Sequence, residues 1–410
     1  MEAVDVAIVG AGHAGLSMSR ALATRGIEHV VLERNRIANA WRGRWDSFCL
    51  VTPNWLIDLP DQGYDGDDPD GFMPRDEIVS FLERYAASGA PVREGVDVIQ
   101  ARRTDDGFAL DTTGGELRTT ALVAACGAYQ RPHHPAGAAS LPPGLLTMDA
   151  TAYRRPSDLP DGGVLIVGSG QTGAQLAEEL HESDRDVVLA CGKAPWLPRR
   201  FGGHDATWWA NETGFLDQPV ASLPHPEARL WANILASGHD GGHDLHYRTL
   251  QAAGVTLVGR FRRLEHGHVR FADDLANSVA WGDERYHQFM ARVRQLVDER
   301  GIEPFELAPP TPFVGDAPTR LPIERFATVL FTGGFRPHYG TWLPWPTAFD
   351  DMGFPIHIDG ASTVVGGLYF IGVHFLRTRK SSVLWGARDD AEVVADRIAG
   401  QLGAERTSES

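Results

Sequence analysis

Two short runs of aliphatic, largely β-branched residues, 4–9 and 164–167, each lead through a glycine-rich turn into an Ala/Leu-rich stretch. An apolar run of that length bounded by turn residues predicts a strand buried on both faces, and helical recurrence of apolar positions after it predicts a strand–turn–helix unit. The first unit reads as strand 4–9, helix 14–25 and strand 29–32. The second repeats it as strand 164–167, helix 174–181 and strand 186–190. Further along, Ile78, Leu82, Tyr85 and Ala86 fall on one face of a predicted helix over 76–87. Strands are predicted at 96–99, 108–112 and 117–126, a helix over 285–300, and buried strands at 328–331 and 367–373. A closing helix over 385–400 carries Asp389 and Asp390 near its start, where the dipole is positive. Strands alternating with helices in this way define an α/β chain.

The turns are two copies of one fingerprint, Gly10-Ala11-Gly12-His13-Ala14-Gly15 and Gly168-Ser169-Gly170-Gln171-Thr172-Gly173, 158 residues apart. In such a turn the glycines let backbone approach a pyrophosphate, whose charge sits at a helix N-terminus. Two dinucleotides are implied, and they differ. Glu33 lies 18 residues after Gly15, where a carboxylate accepts ribose hydroxyls and repels a 2′-phosphate, which suits FAD or NAD. The same count from Gly173 reaches Cys191, with Lys193, Arg199 and Arg200 beyond, which favours NADPH.

The expected architecture is two dinucleotide-binding, Rossmann-like domains, with the NADPH domain inserted into a discontinuous FAD domain. The FAD domain is expected at 1–155 and 310–403, and the NADPH domain at 156–309 with a substrate-capping insertion at about 201–308. The Pro-rich crossing 131–143 marks the boundary. Residues 41–74, rich in Trp, Pro, Asp and Gly, are too long for a mere connector. A tail over 404–410 is expected to be disordered.

With 410 residues, 43% hydrophobic and 22% charged, the chain suits two domains in the ordinary globular range. A net charge of −16 argues against nucleic acid or an anionic membrane as partner, since phosphate binding needs a basic surface. No apolar run approaches the roughly 18 residues of a membrane span, so a cytoplasmic enzyme is expected. Cys49, Cys126 and Cys191 form neither a CxxC pair nor a zinc set, and are read as reduced thiols. His239, His243 and His246 stand around Asp240 and Asp244, but no metal site is assigned there, because core-satisfied histidines are commoner. Trp208, Trp209, Trp231, His243 and Trp281 are candidates for a pocket lining.

The order of fingerprint, Trp41, Thr52-Pro53-Asn54-Trp55, second fingerprint and Thr332-Gly333-Gly334 resembles the class B flavin-dependent monooxygenases. It is most similar to their small bacterial members, relatives of the plant auxin-forming enzymes and of the Baeyer–Villiger monooxygenases. Gly71-Phe72-Met73-Pro74-Arg75 and Ser382-Val383-Leu384-Trp385-Gly386 extend the resemblance over nearly the whole chain. It implies FAD and NADPH as cofactors and O2 as co-substrate. NADPH reduces FAD, O2 adds at flavin C4a, and the hydroperoxide oxygenates an amine or sulfide or, as its anion, attacks a ketone. Asn54 matches the family's active-site asparagine; read from the residues alone it is an Asx turn after proline. Asp149 stands where the family has a histidine, with Gly144 and Tyr153 of that signature retained and Ala150 replacing a serine. A carboxylate is no cation at pH 7, which puts tight coupling in question; the other reading is a linker residue with a substitute hydrogen bond.

The reaction-centre candidates are therefore Asn54 and Asp149. The cofactor candidates are Gly10, Gly12, Gly15, Glu33, Arg34, Trp41 and Val98 for the first site. Gly168, Gly170, Gln171, Thr172, Gly173, Lys193, Arg199 and Gly333 complete the set. The competing readings are an NADPH-dependent reductase of the ferredoxin or thioredoxin type, against which the missing CxxC argues in the disulfide case, and a flavin-binding protein that has lost turnover. A small-molecule substrate is expected; a homodimer stays open.

Overall fold

A computed structural model describes residues 2–315 and 317–408. Two sheets organise the chain. In the first, five strands run parallel in the order Leu368–Phe370, Gly115–Ala124, Glu2–Val9, His29–Glu33 and Val92–Glu94. An antiparallel meander, Val98–Thr104 and Gly107–Thr112, branches from Gly115–Ala124. Helices His13–Thr24, Arg75–Ala87 and Gly386–Ser408 share one core with this sheet, where Leu16 and Leu22 meet Val394 and Ile398.

The second sheet is all parallel, in the order Leu146–Asp149, Phe326–Phe331, Gly163–Val167, Val187–Ala190 and Thr256–Val258. Both strand–turn–helix units form as expected, as does the long helix, which starts earlier, at Leu275, and runs to Arg300.

Three expectations are corrected. Residues 146–149 and 326–331 hydrogen-bond into the second sheet, so the domain boundaries lie outside 155/156 and 309/310. The chain crosses between sheets twice, at Arg131–Pro132 and Phe335–Arg336, and the two crossings pair antiparallel with each other. The 201–308 stretch is not one cap: helix Tyr247–Ala253 and strand Thr256–Val258 belong to the nucleotide fold, leaving separate excursions before and after them. The last helix continues through Ser408, over most of the tail expected to be disordered; residues 409–410 lie outside the described residues.

The 41–74 segment fills the seam between the sheets. Trp45 is buried in the second core while Phe48 touches both cores. Asp46 N–H donates to the Arg154 carbonyl at 2.9 Å, and Arg154 Nη1 donates to the Gly43 carbonyl at 2.6 Å. Among the described residues no helix is long and apolar enough to cross a membrane.

Candidate functional site

The two glycine turns have the same construction. Gly10 and Gly168 take φ of +112° and +117°, open to glycine at little cost. A Cβ on either would strike backbone of the neighbouring parallel strand's exit, Ala125 O at 2.8 Å or Thr332 C at 2.7 Å. Gly15 and Gly173 let helix lie on strand: a Cβ there would sit 1.9 Å from Gly10 O or 2.0 Å from Gly168 O. Gly12 differs from all of these. Its backbone is ordinary, at φ −81°, and a Cβ on it would meet nothing within 4 Å. The space kept free there lies at the uncapped N-terminus of helix His13–Thr24, which fits a pyrophosphate. Gly170 is similar but tighter, with Ala232 Cβ 3.5 Å from where its own Cβ would be.

Around the first turn, Glu33 is buried at its strand end and accepts the Ala11 and Asn35 amides, both at 2.9 Å, so its carboxylate is fixed beside the turn. Arg34 is exposed, and Val98 is buried in the core behind the sheet rather than facing the turn's helix. Trp41 packs at 6.0 Å from both His13 and Phe48.

The second turn redistributes roles. Lys193 is exposed just past strand Val187–Ala190, with its ammonium 6.0 Å over Trp281. On the ring's other contact, Arg285 approaches at 4.6 Å, a cation that sequence spacing did not single out. Arg199, expected beside Lys193, is instead buried and committed: Nε bonds Asp205 at 2.7 Å, Nη1 donates to the Val51 carbonyl at 2.7 Å, and its guanidinium lies 4.3 Å over Phe72. It ties the second domain to the seam. The Gln171 side chain grips both backbone groups of Ala236, so only its backbone is open to a phosphate. Thr172 stands in the first turn of the helix. Gly333 is set by packing, since a Cβ would sit 2.7 Å from the His133 carbonyl of the other crossing.

Between the sheets a polar and aromatic wall forms that sequence reasoning missed. Tyr129 and His374 follow the exits of strands Gly115–Ala124 and Leu368–Phe370, and their rings meet edge to face at 4.5 Å. Tyr129 also packs on Phe335 of the second crossing. His13 Nε2, Arg44 Nε and His374 Nδ1 are buried without a protein partner. Burial pushes both histidines down to about 4, so each is neutral at pH 7. Groups beyond the carboxyl ends of parallel strands are where such sheets bind ligands, and that topological rule was the available signal.

Both reaction-centre candidates are held by hydrogen bonds within the protein. Asn54 Nδ2 donates to the Asp68 carbonyl at 2.9 Å and its Oδ1 accepts the Met73 amide at 2.7 Å, bracketing the 54–73 loop over a range too long for an Asx turn. Asp149, last in its strand, accepts from His134 Nε2 at 2.6 Å. Of the cluster 239–246, His243 bonds Glu178 at 2.8 Å, Asp244 accepts the Arg199 amide at 2.6 Å and His246 caps helix Tyr247–Ala253. Trp209, proposed for the pocket, is fully buried in the packing of the two excursions.

The family described as pyridine nucleotide-disulphide oxidoreductase matches residues 7–202, which contain both glycine turns. An uncharacterized CzcO-like oxidoreductase of Geobacillus kaustophilus is 29% identical over 96% of this chain and 98% of its own. Indole-3-pyruvate monooxygenase YUCCA4 of rice is 25% identical over 98% of this chain and 89% of its own. Among solved structures, a flavin-containing monooxygenase from Stenotrophomonas maltophilia superposes with a TM-score of 0.71 at 17% identity, covering 98% of this chain and all of its own.

Proposed function

We propose that this chain, a flavin-dependent monooxygenase using FAD and NADPH, oxygenates a small organic molecule between its two sheets. The observation that carries this reading is the pair of glycine turns, each leading into a helix whose N-terminus has no side-chain cap, with free space kept at Gly12.

Gly10, Gly12, Gly15 and Glu33 would hold FAD by its pyrophosphate and ribose, with Trp41 beside the turn. Gly168, Gly170, Thr172 and Gly173 would hold the nicotinamide nucleotide. Lys193 and Arg285, converging on Trp281, would take its 2′-phosphate, because two cations flanking an aromatic face favour a phosphate-bearing adenosine. FAD, when bound there, would supply the redox and oxygen-activating chemistry, with NADPH as the source of electrons. The protein's part is position and dryness. His13 and His374 stay uncharged at pH 7 and so would add no cationic proton donor, while Trp41 and Phe48 pack beside the first turn.

The test is anaerobic mixing of the FAD-loaded protein with NADPH or NADH, then exposure to isotopically labelled O2 with amine, sulfide and ketone panels. Faster bleaching by NADPH, a flavin spectrum after oxygen that is neither oxidised nor reduced, and label in a product are expected. Electrons passing to an artificial acceptor, with no label in any product, would overturn it in favour of a reductase.

A further inference from the structure

Arg379 stands in the segment between strand Leu368–Phe370 and the last helix, where the first domain meets the excursion after helix Ala206–Glu212. The contact is built from backbone: Arg379 N–H donates to the Gln218 carbonyl at 3.0 Å and Lys380 N–H to the Leu216 carbonyl at 3.1 Å. The Arg379 guanidinium lies between two rings, 4.2 Å from Phe215 and 5.0 Å from Phe375. Stacking fixes its plane and leaves its N–H edge as the polar face.

That edge has no anion. Among the described residues no carboxylate pairs with Arg379, and its Nε is buried without a partner. The nearby acids are used elsewhere, Asp217 and Asp389 both gripping Lys380 at 2.7 and 2.8 Å. A second guanidinium, Arg292, approaches from helix Leu275–Arg300. Gln218 stands between them: its amide oxygen accepts from Arg292 at 2.7 and 3.2 Å in one orientation, or from Arg379 at 3.4 Å in the other. In either orientation the amide oxygen faces only one of the two cations. Burial, then the neighbouring Arg292 charge, push the Arg379 guanidinium down to about 10. Leaving a part-buried guanidinium without a carboxylate is costly, and a chain with 54 acidic residues has not placed one here.

The location ties the feature to the cleft. Phe375 directly follows His374 of the reaction-cleft wall, and Phe215 packs on Phe289 of the long helix at 5.4 Å. We infer that Arg379, with Arg292 across Gln218, is the binding site for the carboxylate of an organic-acid substrate whose apolar body lies along Phe215 and Phe375 toward His374. That it is the substrate's site rests on the monooxygenase reading above; that it binds a carboxylate does not.

The probes are phenylacetate and its neutral counterpart phenylacetamide, titrated into oxidised FAD-loaded protein by calorimetry, with no turnover needed. Phenylacetate is expected to bind at least about ten-fold more tightly than the amide. Arg379→Met should abolish that preference while leaving FAD retention intact. Gln218→Glu, which supplies an internal carboxylate between the two cations, should raise Tm and block phenylacetate but not phenylacetamide. This second variant decides the matter if Arg379→Met does not fold. Equal binding of acid and amide, unchanged preference in Arg379→Met, or strict competition between phenylacetate and NADP+ would overturn the assignment. Binding without oxygenation of any acid would leave the site standing and count against the proposed reaction only.

Discussion

The Nε2 of His134 reaches Oδ1 of Asp149 at 2.6 Å, joining the first crossing between the sheets to the end of strand Leu146–Asp149. The His134 ring rests 4.5 Å from Phe331, the residue paired with Asp149 in the sheet, so the imidazole is held from two sides. A histidine thus lies against position 149, contributed by another segment of the chain.

If this pair sets the relation of the two domains, His134→Ala and Asp149→Ala should slow flavin reduction by NADPH to a similar degree, and the double variant should be no slower than the worse single one. Both side chains are partly exposed, so the coupling should stay below about 1 kcal/mol, a few-fold in rate. Asp149→His removes the acceptor and sets two imidazoles together, and should resemble Asp149→Ala. Additive losses in stopped-flow reduction, or improved coupling in Asp149→His, would separate the two residues.

The glycines of one turn should fail in different ways. Gly12→Val places its side chain in free space at an unstrained φ, so the protein should fold with an unchanged far-ultraviolet spectrum and emerge without FAD. Gly15→Ala drives a methyl to within 1.9 Å of a backbone oxygen and should cost the fold itself, by several kcal/mol in denaturant titration. FAD retained at normal occupancy in Gly12→Val would remove the pyrophosphate from this turn.

Lys193 and Arg199, six residues apart, should separate function from stability. Lys193→Ala should raise KM for NADPH about ten-fold or more with little effect on NADH, because only a 2′-phosphate distinguishes the two. Arg199→Met should leave that ratio alone and lower stability by about 3 kcal/mol, since it removes the cation paired with largely buried Asp205, whose other hydrogen bonds come from Thr207. Steady-state KM values for both nucleotides, with a urea titration, check the pair.

The difference between those two arginine and lysine positions shows what the sequence could and could not disclose. The strand–glycine–helix units were legible because each is local: an apolar run, a turn that only glycine permits and a helix that follows at once. Strands 146–149 and 326–331 were recognisable as buried, yet no local mark says which sheet a parallel strand joins. Arg199 lies near Lys193 in sequence, but the chain turns between them and sends Arg199 to Val51. Asn54 was singled out by a local motif, and its bonds to residues 68 and 73 depend on a loop closure that composition does not encode. Tyr129 and His374 meet only because two distant strands exit side by side.

Glu179 should make stability depend on pH. It lies on helix Gln171–Glu182 against Ser47 of the seam and Tyr153, and burial raises its carboxyl to about 7, against weaker lowering by those two hydroxyls. A carboxyl with a raised folded pKa binds its proton more tightly folded than unfolded. Its contribution is therefore fully present below the unfolded value near 4.5, declines as pH rises, and is gone above about 7. The shift corresponds to at most roughly 3 kcal/mol, and partial exposure makes the real figure smaller. Glu179→Gln keeps a neutral side chain of the same shape, so the variant should lose that part of the pH dependence and exceed the parent in Tm at pH 8 while matching it at pH 4.5. Because the residue bridges the seam to the second domain, ionisation should also loosen the contact of segment 41–74 with helix Gln171–Glu182, read as faster amide exchange around Ser47 above pH 7. Parallel Tm profiles of parent and variant across that interval would place the proton elsewhere.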